Sequence, residues 1–527
     1  MMTSYDLEAL RLDLQKRLDG LKPQVDRNRL GQFATPTELA AEIAAVTRPL
    51  MAGRASIRFL DPAFGTGAFY SALLRSYSPS DIAWAKGYEV DPHYGLPALS
   101  LWQDTHLKLE IADFTQLSPP TTDRDRPNLI ICNPPYVRHH HIPVGDKVRL
   151  RGKVAELTSI RLNGLAGLYC YFLCLAHAWL ADNGIGVWLI PSEFMDVKYG
   201  REVKRYLLEK VTLLRLHLFD PHEVQFDDAL VSSAVVWFTK ATPPSQHAVD
   251  ATYGGSLTNP RVVQRLATTH LQEDTKWSGL FKGQEKVARG ESNLKLSDLF
   301  LIKRGIATGS NSFFVLKQSE AGRLELPSHL LTPILPSPRF LDVEEVEADK
   351  LGDPLLATRL YLLTCDEPEA TVQRKYPALW AYLQTGIARG LNEGYLCSRR
   401  SPWYAQEKRP PAPLLCTYMG RLRTKNSRPF RFILNHSRAT APNVYLLMYP
   451  KPLLLDLMQQ QPDLLRKLWL ALNALPVEAI LGEGRVYGGG LYKLEPNELG
   501  NLPADVVLPA LSQPIPLVPR QLTLLPS

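Results

Sequence analysis

The 527-residue sequence predicts an α/β fold with a doubly wound sheet in residues 1–240, followed by a second domain of α+β character. Three observations support this prediction. Short apolar runs alternate with helical patterns up to residue 240, a glycine-rich turn follows the first of these runs, and the pattern becomes irregular and proline-rich afterwards. Strands that alternate with helices form parallel βαβ units, whose helices cover both faces of the sheet.

The elements of the first domain follow from hydrophobic periodicity. The run at 128–132 (NLIIC) has no polar alternation, which is typical of a strand buried on both faces. The predicted strands are Ile57–Leu60, Trp84–Val90, Leu107–Ala112, Asn128–Cys132, Gly186–Ile190, Leu213–Phe219 and Ala234–Thr239. The predicted helices are the charged amphipathic segment 1–20, Phe69–Arg75, Leu168–Leu180 and Arg201–Glu209.

The segment 240–247 (KATPPSQH) has two prolines and no periodicity, so it is the predicted linker. The predicted domains are therefore residues 1–240 and 248–527. In the second domain, helical patterns occur mainly at Ala370–Gln384 and Pro452–Leu472.

The charge is distributed unevenly along the chain. Residues 1–240 hold 27 basic and 27 acidic side chains, whereas residues 241–527 hold 33 basic and 26 acidic ones. Within 371–438 there are 13 basic and only two acidic residues. This asymmetry indicates a surface for a polyanion in the C-terminal half, with an ordinary solvated basic face as the alternative.

Cysteine usage and hydropathy indicate the compartment. The six cysteines are scattered and form no CxxC pair, which argues against a zinc ribbon and suits a reducing cytoplasm. No apolar stretch reaches the roughly eighteen residues of a membrane helix. We therefore expect a cytoplasmic protein without a membrane partner. Three consecutive histidines at 139–141 cannot converge on one ion, so we expect no metal and interpret them as a polar loop near the substrate.

A glycine-rich turn at Phe59–Phe69 (FLDPAFGTGAF) joins the first strand to a helix. Glycine lets a ligand approach the main chain, and the free N–H groups at a helix start attract a negative group. The spacing is neither GxGxxG nor a phosphate-binding GxxxxGK[ST] loop, which argues against a dinucleotide site and an NTPase. Taken alone, this turn could also be an ordinary strand–helix connection.

Acidic residues follow the next two strands. Glu89 lies at the end of the second strand, where such sheets bind ribose hydroxyls. Asp113 and Phe114 follow the third strand, where a carboxylate can accept a bond from an adenine amine and a ring can pack on the base. Each acid alone could be a solvated strand end, but their order predicts one ligand site at this edge of the sheet.

The buried strand at 128–132 runs directly into Asn133-Pro134-Pro135-Tyr136. Each proline fixes φ and removes a donor, so nearby carbonyl groups are held rigidly as acceptors. The Asn133 side-chain oxygen and the Pro134 carbonyl can each accept one hydrogen of an aromatic amine, which restores its lone pair as a nucleophile. Tyr136 offers a ring on which a base can stack.

In this order and spacing, FLDPAFGTGAF, GYEVDP, ADF and NPPY resemble the S-adenosylmethionine-dependent N6-adenine DNA methyltransferases of restriction–modification systems, in their gamma arrangement. The resemblance extends upstream to Gly31–Pro36 (GQFATP), and downstream to Gly184–Phe194, Arg205–Leu208 and Val224–Phe226. It implies a Rossmann-like methyltransferase sheet followed by a target-recognition domain.

The resemblance also implies a role for each matching residue. Asp61, Pro62, Ala63 and the backbone of Phe64, Gly65 and Gly67 would hold the methionine part of S-adenosylmethionine, assisted by Thr35, Pro36 and Asn133. Glu89 with Val90 would bind the ribose, and Asp113 with Phe114 the cofactor's adenine. Asn133, Pro134, Pro135 and Tyr136 would bind the target adenine, and Phe226 would be a second aromatic opposite Tyr136, unless it is simply a core residue. S-adenosylhomocysteine would be the product.

The C-terminal half resembles target-recognition regions of larger methyltransferases related to restriction enzymes. Its candidates for double-stranded DNA contacts are basic or aromatic: Arg399, Arg400, Trp403, Tyr404, Arg421, Arg423, Lys425 and Arg431. For each one, a solvated surface role is the alternative. About thirty residues precede the first motif, so a restriction endonuclease partner is expected on a separate chain, and the methyltransferase is expected to be a monomer.

Two other functions stay open at this point. NPPY also occurs in methyltransferases that act on protein glutamine amides or on RNA adenines. A DNA-binding specificity protein without catalysis is the other alternative, against which the intact NPPY and glycine turn argue. The basic second half favours a nucleic-acid substrate.

Overall fold

The computed structural model describes residues 3–54, 56–223, 225–226, 232–281, 294–421, 428–487 and 490–504. The chain divides into two units, one of residues 1–287 with 486–490, and one of residues 288–485 with 491–527. None of the helices in the described part of the chain is long and apolar enough to cross a membrane.

The first unit is built on a nine-stranded sheet of order β3-β2-β1-β4-β5-β7-β6-β8-β9. Its strands are β1 Ile57–Asp61, β2 Ile82–Glu89, β3 Leu107–Ile111, β4 Leu129–Cys132, β5 Ile185–Pro191, β6 Thr212–Leu218, β7 Ser233–Thr239, β8 Ala248–Gly255 and β9 Pro260–Ala267. The pairs among β3, β2, β1, β4 and β5 are parallel, as predicted. β7 departs from the prediction, because it runs antiparallel to both β5 and β6.

The helices of the first unit cover both faces of this sheet. They are α1 Ser4–Leu21, α2 Gln24–Leu30, α3 Thr37–Thr47, α4 Ala68–Ser76, α5 Pro92–Trp102, α6 Val144–Thr158, α7 Leu168–Leu175, α8 Arg201–Arg205 and α9 Ser278–Phe281. Leu129 and Ile131 of β4 belong to one core cluster, whereas Ile130 and Cys132 belong to the other. The strand is therefore buried on both sides, which explains its continuous apolar sequence.

The prediction that segment 240–247 links two domains is wrong, because this segment connects β7 and β8 of the same sheet. β8 pairs in parallel with β6, and β9 pairs with β8. β9 alternates half-buried and exposed residues at the sheet edge and carries two arginines, so it lacks an apolar run. Prolines before β8 resembled a domain boundary, but the sheet continues beyond them.

The second unit contains several smaller sheets, so its predicted α+β character is confirmed. Its strands are β10 Phe300–Arg304, β11 Val315–Lys317, β12 Leu331–Pro333, β13 Glu345–Val346, β14 Leu360–Leu363, β15 Leu414–Thr417, β16 Met419–Arg421, β17 Phe432–Asn435, β18 Tyr445–Pro450 and β20 Leu491–Lys493. Strand β19, Arg485–Tyr487, begins with the last residue of 288–485 and continues into the segment 486–490 of the first unit. One five-stranded sheet has the order β10-β18-β15-β17-β13, and β11, β14 and β12 form a three-stranded sheet.

The helices of the second unit are α10 Leu296–Leu299, α11 Asn311–Phe314, α12 Gln318–Arg323, α13 Glu369–Lys375, α14 Pro377–Ala388, α15 Pro452–Gln460, α16 Leu464–Asn473, α17 Val477–Glu483 and α18 Pro496–Gly500. Both helices predicted here are split in two. Pro377 ends α13 by restricting the residue before it, and Pro462 lies between α15 and α16.

Candidate active site

A cavity of about 560 Å³ lies at the carboxyl ends of β1 to β4, within the size range of small-molecule sites. Many residues singled out in the sequence meet here: Pro62, Ala63, Gly65, Glu89, Val90, Asp113, Phe114, Asn133 and Pro135. The sheet brings them together because parallel strands direct their carboxyl ends to one edge.

Glu89 connects the end of β2 to the glycine-rich turn. Its carboxylate accepts hydrogen bonds from the backbone nitrogens of Gly65 and Asp91, each at 2.8 Å. Burial raises the pKa of Glu89, although the two backbone donors oppose this. Gly65 has a φ of 58°, a conformation that favours glycine. Each carboxylate oxygen keeps a second acceptor position that can take a hydroxyl hydrogen.

Asp113 and Phe114 form the opposite side of the cavity. Asp113 caps a short 3₁₀ turn, since its carboxylate accepts from the nitrogen and the hydroxyl of Thr115 at 2.9 and 2.8 Å. Phe114 is almost fully buried, and its ring lies 5.5 Å from that of Phe172, which also lines the cavity. This part of the cavity therefore combines aromatic rings with a carboxylate.

Asp61 is not among the residues that line the cavity. It is buried behind the turn, where it accepts a hydrogen bond from the nitrogen of Ala63 at 3.1 Å. Burial, with a smaller contribution from the negative charge of Glu89, raises its pKa from 3.8 to about 8, against the hydrogen bond from Ala63. Asp61 thus supports the turn from within the sheet.

Phe64 and Gly67 also lie behind the cavity wall. The ring of Phe64 fills the space over two glycines, because a Cβ on Gly67 or Gly87 would come within 2.6 or 2.4 Å of it. The Phe64 backbone nitrogen donates to the oxygen of Tyr88 at 2.8 Å. These residues shape the turn.

Asn133 follows β4 and is held by the segment that precedes α3. Its side-chain nitrogen donates to the backbone oxygen of Phe33 and to the hydroxyl of Thr35, both at 3.1 Å. A backbone carbonyl can only accept, so the nitrogen must face Phe33. The Asn133 Oδ1 atom is buried and has no hydrogen-bond partner among the described residues. The side chain therefore presents an unused acceptor.

Tyr136 and the segment 31–36 are also joined directly. The nitrogen of Tyr136 donates to the oxygen of Gly31 at 3.0 Å, and its hydroxyl donates to the oxygen of Leu189 at 3.1 Å. A Cβ on Gly31 would lie 2.3 Å from the Tyr136 nitrogen, which explains the glycine in GQFATP. Pro36 in the same segment is the N-cap of α3, whereas Pro134 is buried beside Asn133.

Three aromatic rings meet beside Asn133. The rings of Tyr136 and Phe226 are 5.9 Å apart and perpendicular, and the ring of Phe33 lies 5.7 and 6.0 Å from them. Phe226 is therefore next to Tyr136, although in edge-to-face contact instead of facing it across a gap. Sequence reasoning did not single out the Phe33 side chain. Val224 lies outside the described residues.

Six further residues of α1 and its neighbours line the cavity, although sequence reasoning assigned none of them a role: Gln15, Asp19, Lys22, Gln32, Asp91 and Tyr94. Asp91 accepts from Lys22 Nζ at 2.5 Å and from Gln32 Nε2 at 2.7 Å. These contacts, opposed by burial, lower the pKa of Asp91. Charges on an amphipathic helix are normally solvated, so only the fold reveals that α1 faces a ligand site.

The histidine triplet forms a 3₁₀ turn, and His141 lines the cavity. Among the described residues, the one group with metal-ligand geometry lies elsewhere, at Glu345, Glu347 and His436 of the second unit. Glu345 there is already paired with His436 at 3.1 Å and with Arg466.

The predicted DNA contacts divide by exposure. Trp403 and Tyr404 are buried in a core cluster of the second unit, so a direct DNA contact does not fit their position. Arg400 donates to the backbone oxygens of Ala307 and Thr308, and Arg431 donates to that of Pro338. The guanidinium groups of Arg400 and Arg431 therefore stabilise the fold through these backbone contacts.

Two candidates are exposed. Arg399 lies 3.8 Å above the ring of the exposed Tyr395, and Arg421 ends β16. Arg423 and Lys425 lie outside the described residues. Exposed Arg399 and Arg421 therefore remain candidates for a phosphate contact.

Comparison with known families gives two matches. A model described as Type II methyltransferase M.Eco57I, C-terminal domain, matches residues 281–516. Another, described as Eco57I restriction-modification methylase, matches residues 100–225.

Two curated relatives match over most of their length. The Type II methyltransferase M.AccI of Acinetobacter calcoaceticus is 26% identical over 492 residues, which cover 90% of this chain and 85% of the relative. The Type II methyltransferase M.XamI of Xanthomonas campestris pv. amaranthicola is 27% identical over 490 residues, with the same shares.

Solved structures share the fold at low identity. The Type IIL restriction-modification enzyme MmeI in complex with DNA has a TM-score of 0.53 at 13% identity, covering 93% of this chain and 66% of that chain. The DrdV–DNA complex has a TM-score of 0.50 at 13% identity, covering 89% and 55%. The predicted fold class is thereby confirmed.

Proposed function

We propose that this chain methylates the N6 amine of a specific adenine in double-stranded DNA. The matching family models and curated relatives are methyltransferases of restriction–modification systems, and they support a DNA methyltransferase of that kind. The unused, buried Oδ1 atom of Asn133 is the observation that carries the proposal. Asn133 directly follows the carboxyl end of β4, where β4 and the neighbouring strands form a cavity suited to S-adenosylmethionine.

Asn133 and Pro134 act on the target amine. The Asn133 oxygen and the Pro134 carbonyl each accept one amine hydrogen, which favours a pyramidal nitrogen with an available lone pair. Because the amide nitrogen of Asn133 is already bonded to Phe33 and Thr35, the side chain is oriented before substrate arrives. Catalysis rests on this positioning and on the oriented acceptors.

The cavity residues fit the cofactor's chemistry. S-adenosylmethionine supplies an electrophilic methyl group when bound. Glu89 accepts ribose hydroxyls, Asp113 accepts from the adenine amine, and Phe114 packs on the adenine ring. Gly65 keeps the turn open enough for a close approach, and Asp61 supports that turn from behind.

The target base has to leave the double helix, since a paired adenine cannot reach a buried acceptor. Tyr136, Phe226 and Phe33 offer aromatic surfaces for it. Tyr136 and Phe226 touch edge to face, so one of the two rings has to turn before a base can stack between them. Phe33 adds a third surface next to Asn133.

We assign target recognition to the second unit, residues 288–485 with 491–527, with the exposed Arg399 and Arg421 as candidate phosphate contacts. The basic segment 371–438 supports this assignment. We further propose that the enzyme acts as a cytoplasmic monomer without a bound metal, and that any restriction endonuclease partner is a separate chain.

A methyl-transfer assay tests the proposal. Purified protein is incubated with labelled S-adenosylmethionine and bacterial genomic DNA, and the nucleosides are then identified by mass spectrometry. We expect N6-methyladenine from the wild type and none from Asn133→Ala. Methylated cytosine would overturn the adenine assignment, and label transferred to bacterial RNA or protein in parallel reactions, with none in DNA, would support the alternative substrates.

A further inference from the structure

Arg11 of α1 is buried although no cofactor motif includes it. Its side chain is 1% exposed, and its Nε and Nη2 atoms donate to the two carboxylate oxygens of Glu8, each at 2.7 Å. Burial raises the pKa of Glu8, but the hydrogen bonds from Arg11, Ser71 and Thr37 outweigh it and hold the pKa at about 2. The pair is therefore charged inside the first unit.

The remaining donors of Arg11 reach two separate segments of the cofactor site. Nη1 donates to the hydroxyl of Thr66 at 3.2 Å, and Nη2 donates to the hydroxyl of Thr37 at 3.1 Å. Thr66 is the middle residue of the glycine-rich turn. Thr37 begins α3 directly after Thr35 and Pro36. One guanidinium group thus bonds to both segments.

Thr66 is fixed from several elements at once. Its hydroxyl donates to Gln15 Oε1 at 2.6 Å, and its carbonyl accepts from Trp102 Nε1 at 2.9 Å. The flanking Gly65 and Gly67 both have positive φ and impose little stiffness of their own. The position of the turn therefore depends on side chains from α1 and α5.

A buried ion pair is a costly way to gain stability. Desolvation of two charges consumes most of their attraction, and a well-packed apolar pair of similar volume is often equally stable or more stable. What an apolar pair cannot supply is a set of directed donors. Arg11 has such donors, and they are directed to Thr66 and Thr37.

We propose that Arg11, with Glu8, is a positioning residue that sets the spacing between the glycine-rich turn and the Thr35–Thr37 segment for cofactor binding. The inference rests on the proposed function, because it assigns the cavity to S-adenosylmethionine. The hydroxyl of Thr35 in this segment accepts a hydrogen bond from the Asn133 amide, so the same spacing also affects the position of Asn133.

The test replaces the pair by apolar residues. Glu8→Leu with Arg11→Met removes both charges together, so no unpaired charge is left buried. We expect the melting temperature to stay near that of the wild type, and the Kd for S-adenosylhomocysteine, measured by calorimetry, to rise about tenfold. If the Glu8–Arg11 pair only stabilises the fold, the Kd of the variant for S-adenosylhomocysteine will equal that of the wild type.

Thr66→Val provides a second route that does not depend on the pair variant folding. It removes the hydroxyl at nearly constant volume. We expect weaker binding in the wild-type background and a smaller further loss when Thr66→Val is added to the pair variant, because the Arg11–Thr66 contact is already missing there and only the bond to Gln15 is still lost. Fully additive effects, or unchanged binding by Thr66→Val, would overturn the inference.

Val203→Ala is the control for stability. Val203 is buried in a different core cluster from the one that contains Phe64 of the glycine-rich turn. Its truncation therefore lowers the melting temperature without touching the turn. Its Kd for S-adenosylhomocysteine should equal that of the wild type. Wild-type protein that fails to bind S-adenosylhomocysteine overturns the proposed function together with this inference, whereas tight binding by wild type and pair variant alike overturns the inference alone.

Discussion

The side-chain nitrogen of Asn133 lies 3.1 Å from the backbone oxygen of Phe33 and donates a hydrogen bond to it. This contact, with a second one to Thr35, decides which way the amide faces. The oxygen is left as a buried acceptor without a partner in the described part of the chain. A segment about one hundred residues upstream therefore orients the side chain of the proposed catalytic asparagine.

Thr35→Val should lower kcat by up to about tenfold, because it removes one of two anchors that orient the Asn133 amide. Its melting temperature should change little. Thr47→Val is the matched control at the last residue of α3, the helix that Thr35 precedes: its buried hydroxyl donates to the backbone oxygen of Ile43 and accepts from Trp237 Nε1. The control should lose stability and keep kcat. The reverse pattern would contradict the orienting role of Thr35.

Gly31→Ala should impair catalysis much more than Gly53→Ala. Both glycines have positive φ, so alanine strains the backbone similarly at either position. At Gly31 the new Cβ would meet the Tyr136 nitrogen at 2.3 Å, whereas at Gly53 nothing lies within 4 Å. Steady-state kinetics on both variants measure the difference. Equal kcat values would show that contact between the two segments is dispensable.

Glu89→Gln should weaken cofactor binding by at least about tenfold, because an amide cannot accept at both ends from Gly65 and Asp91 while also accepting from a ribose. Glu110→Gln is the control, since Glu110 is exposed and paired with Lys86 at the surface. Calorimetric titration with S-adenosylhomocysteine gives both affinities. Unchanged affinity in Glu89→Gln would refute its role.

Asp61 predicts a pH dependence of stability. Its pKa is raised from 3.8 to about 8 in the folded protein, mainly by burial. The folded state therefore favours the protonated form, so this contribution is fully present below about pH 4 and is lost as the pH rises towards 8. Asp61→Asn cannot ionise. It should melt at a higher temperature than the wild type at pH 8, and the advantage should shrink at acidic pH. A constant difference across this range would contradict the shift.

Arg399 and Arg400 are adjacent in sequence but should behave differently. Arg399→Ala should reduce the slope of log K for DNA against log salt by about one, without changing stability, because its side chain is exposed. Arg400→Ala should lower the melting temperature, because its guanidinium group holds the backbone at Ala307 and Thr308. Filter binding at several salt concentrations distinguishes them. An unchanged slope for Arg399→Ala would place the DNA surface elsewhere.

The sheet and the proposed cofactor cavity could be predicted because their signals are local. A strand buried on both faces has a continuous apolar run, as at 128–132, and a ligand-binding turn concentrates glycine and proline in a few residues. The acids at the ends of β2 and β3 then follow from the order of the strands. For these reasons Glu89, Asp113 and Asn133 could be expected to meet at one cavity.

The remaining features depend on tertiary contacts. β9 lies at the sheet edge, where half-buried and exposed positions alternate, and its sequence mixes two arginines and a glutamine with short apolar pairs, so no continuous apolar run distinguishes it. Tyr404 resembled a base-stacking residue in sequence, but its hydroxyl donates to the oxygen of Glu367 and its ring is buried. Arg11 resembled a solvated helix charge. Only the folded chain shows that it is buried, where it bonds to Thr37 and Thr66.

The most direct test of the central claim is single-molecule sequencing, with detection of modified bases, of genomic DNA from a host that expresses this protein. We predict N6-methyladenine at one short recognition sequence in cells with the wild type, and at none of these sites in cells with Asn133→Ala produced at the same level. Modified cytosine at the sites, or N6-methyladenine that persists with Asn133→Ala, would contradict the account.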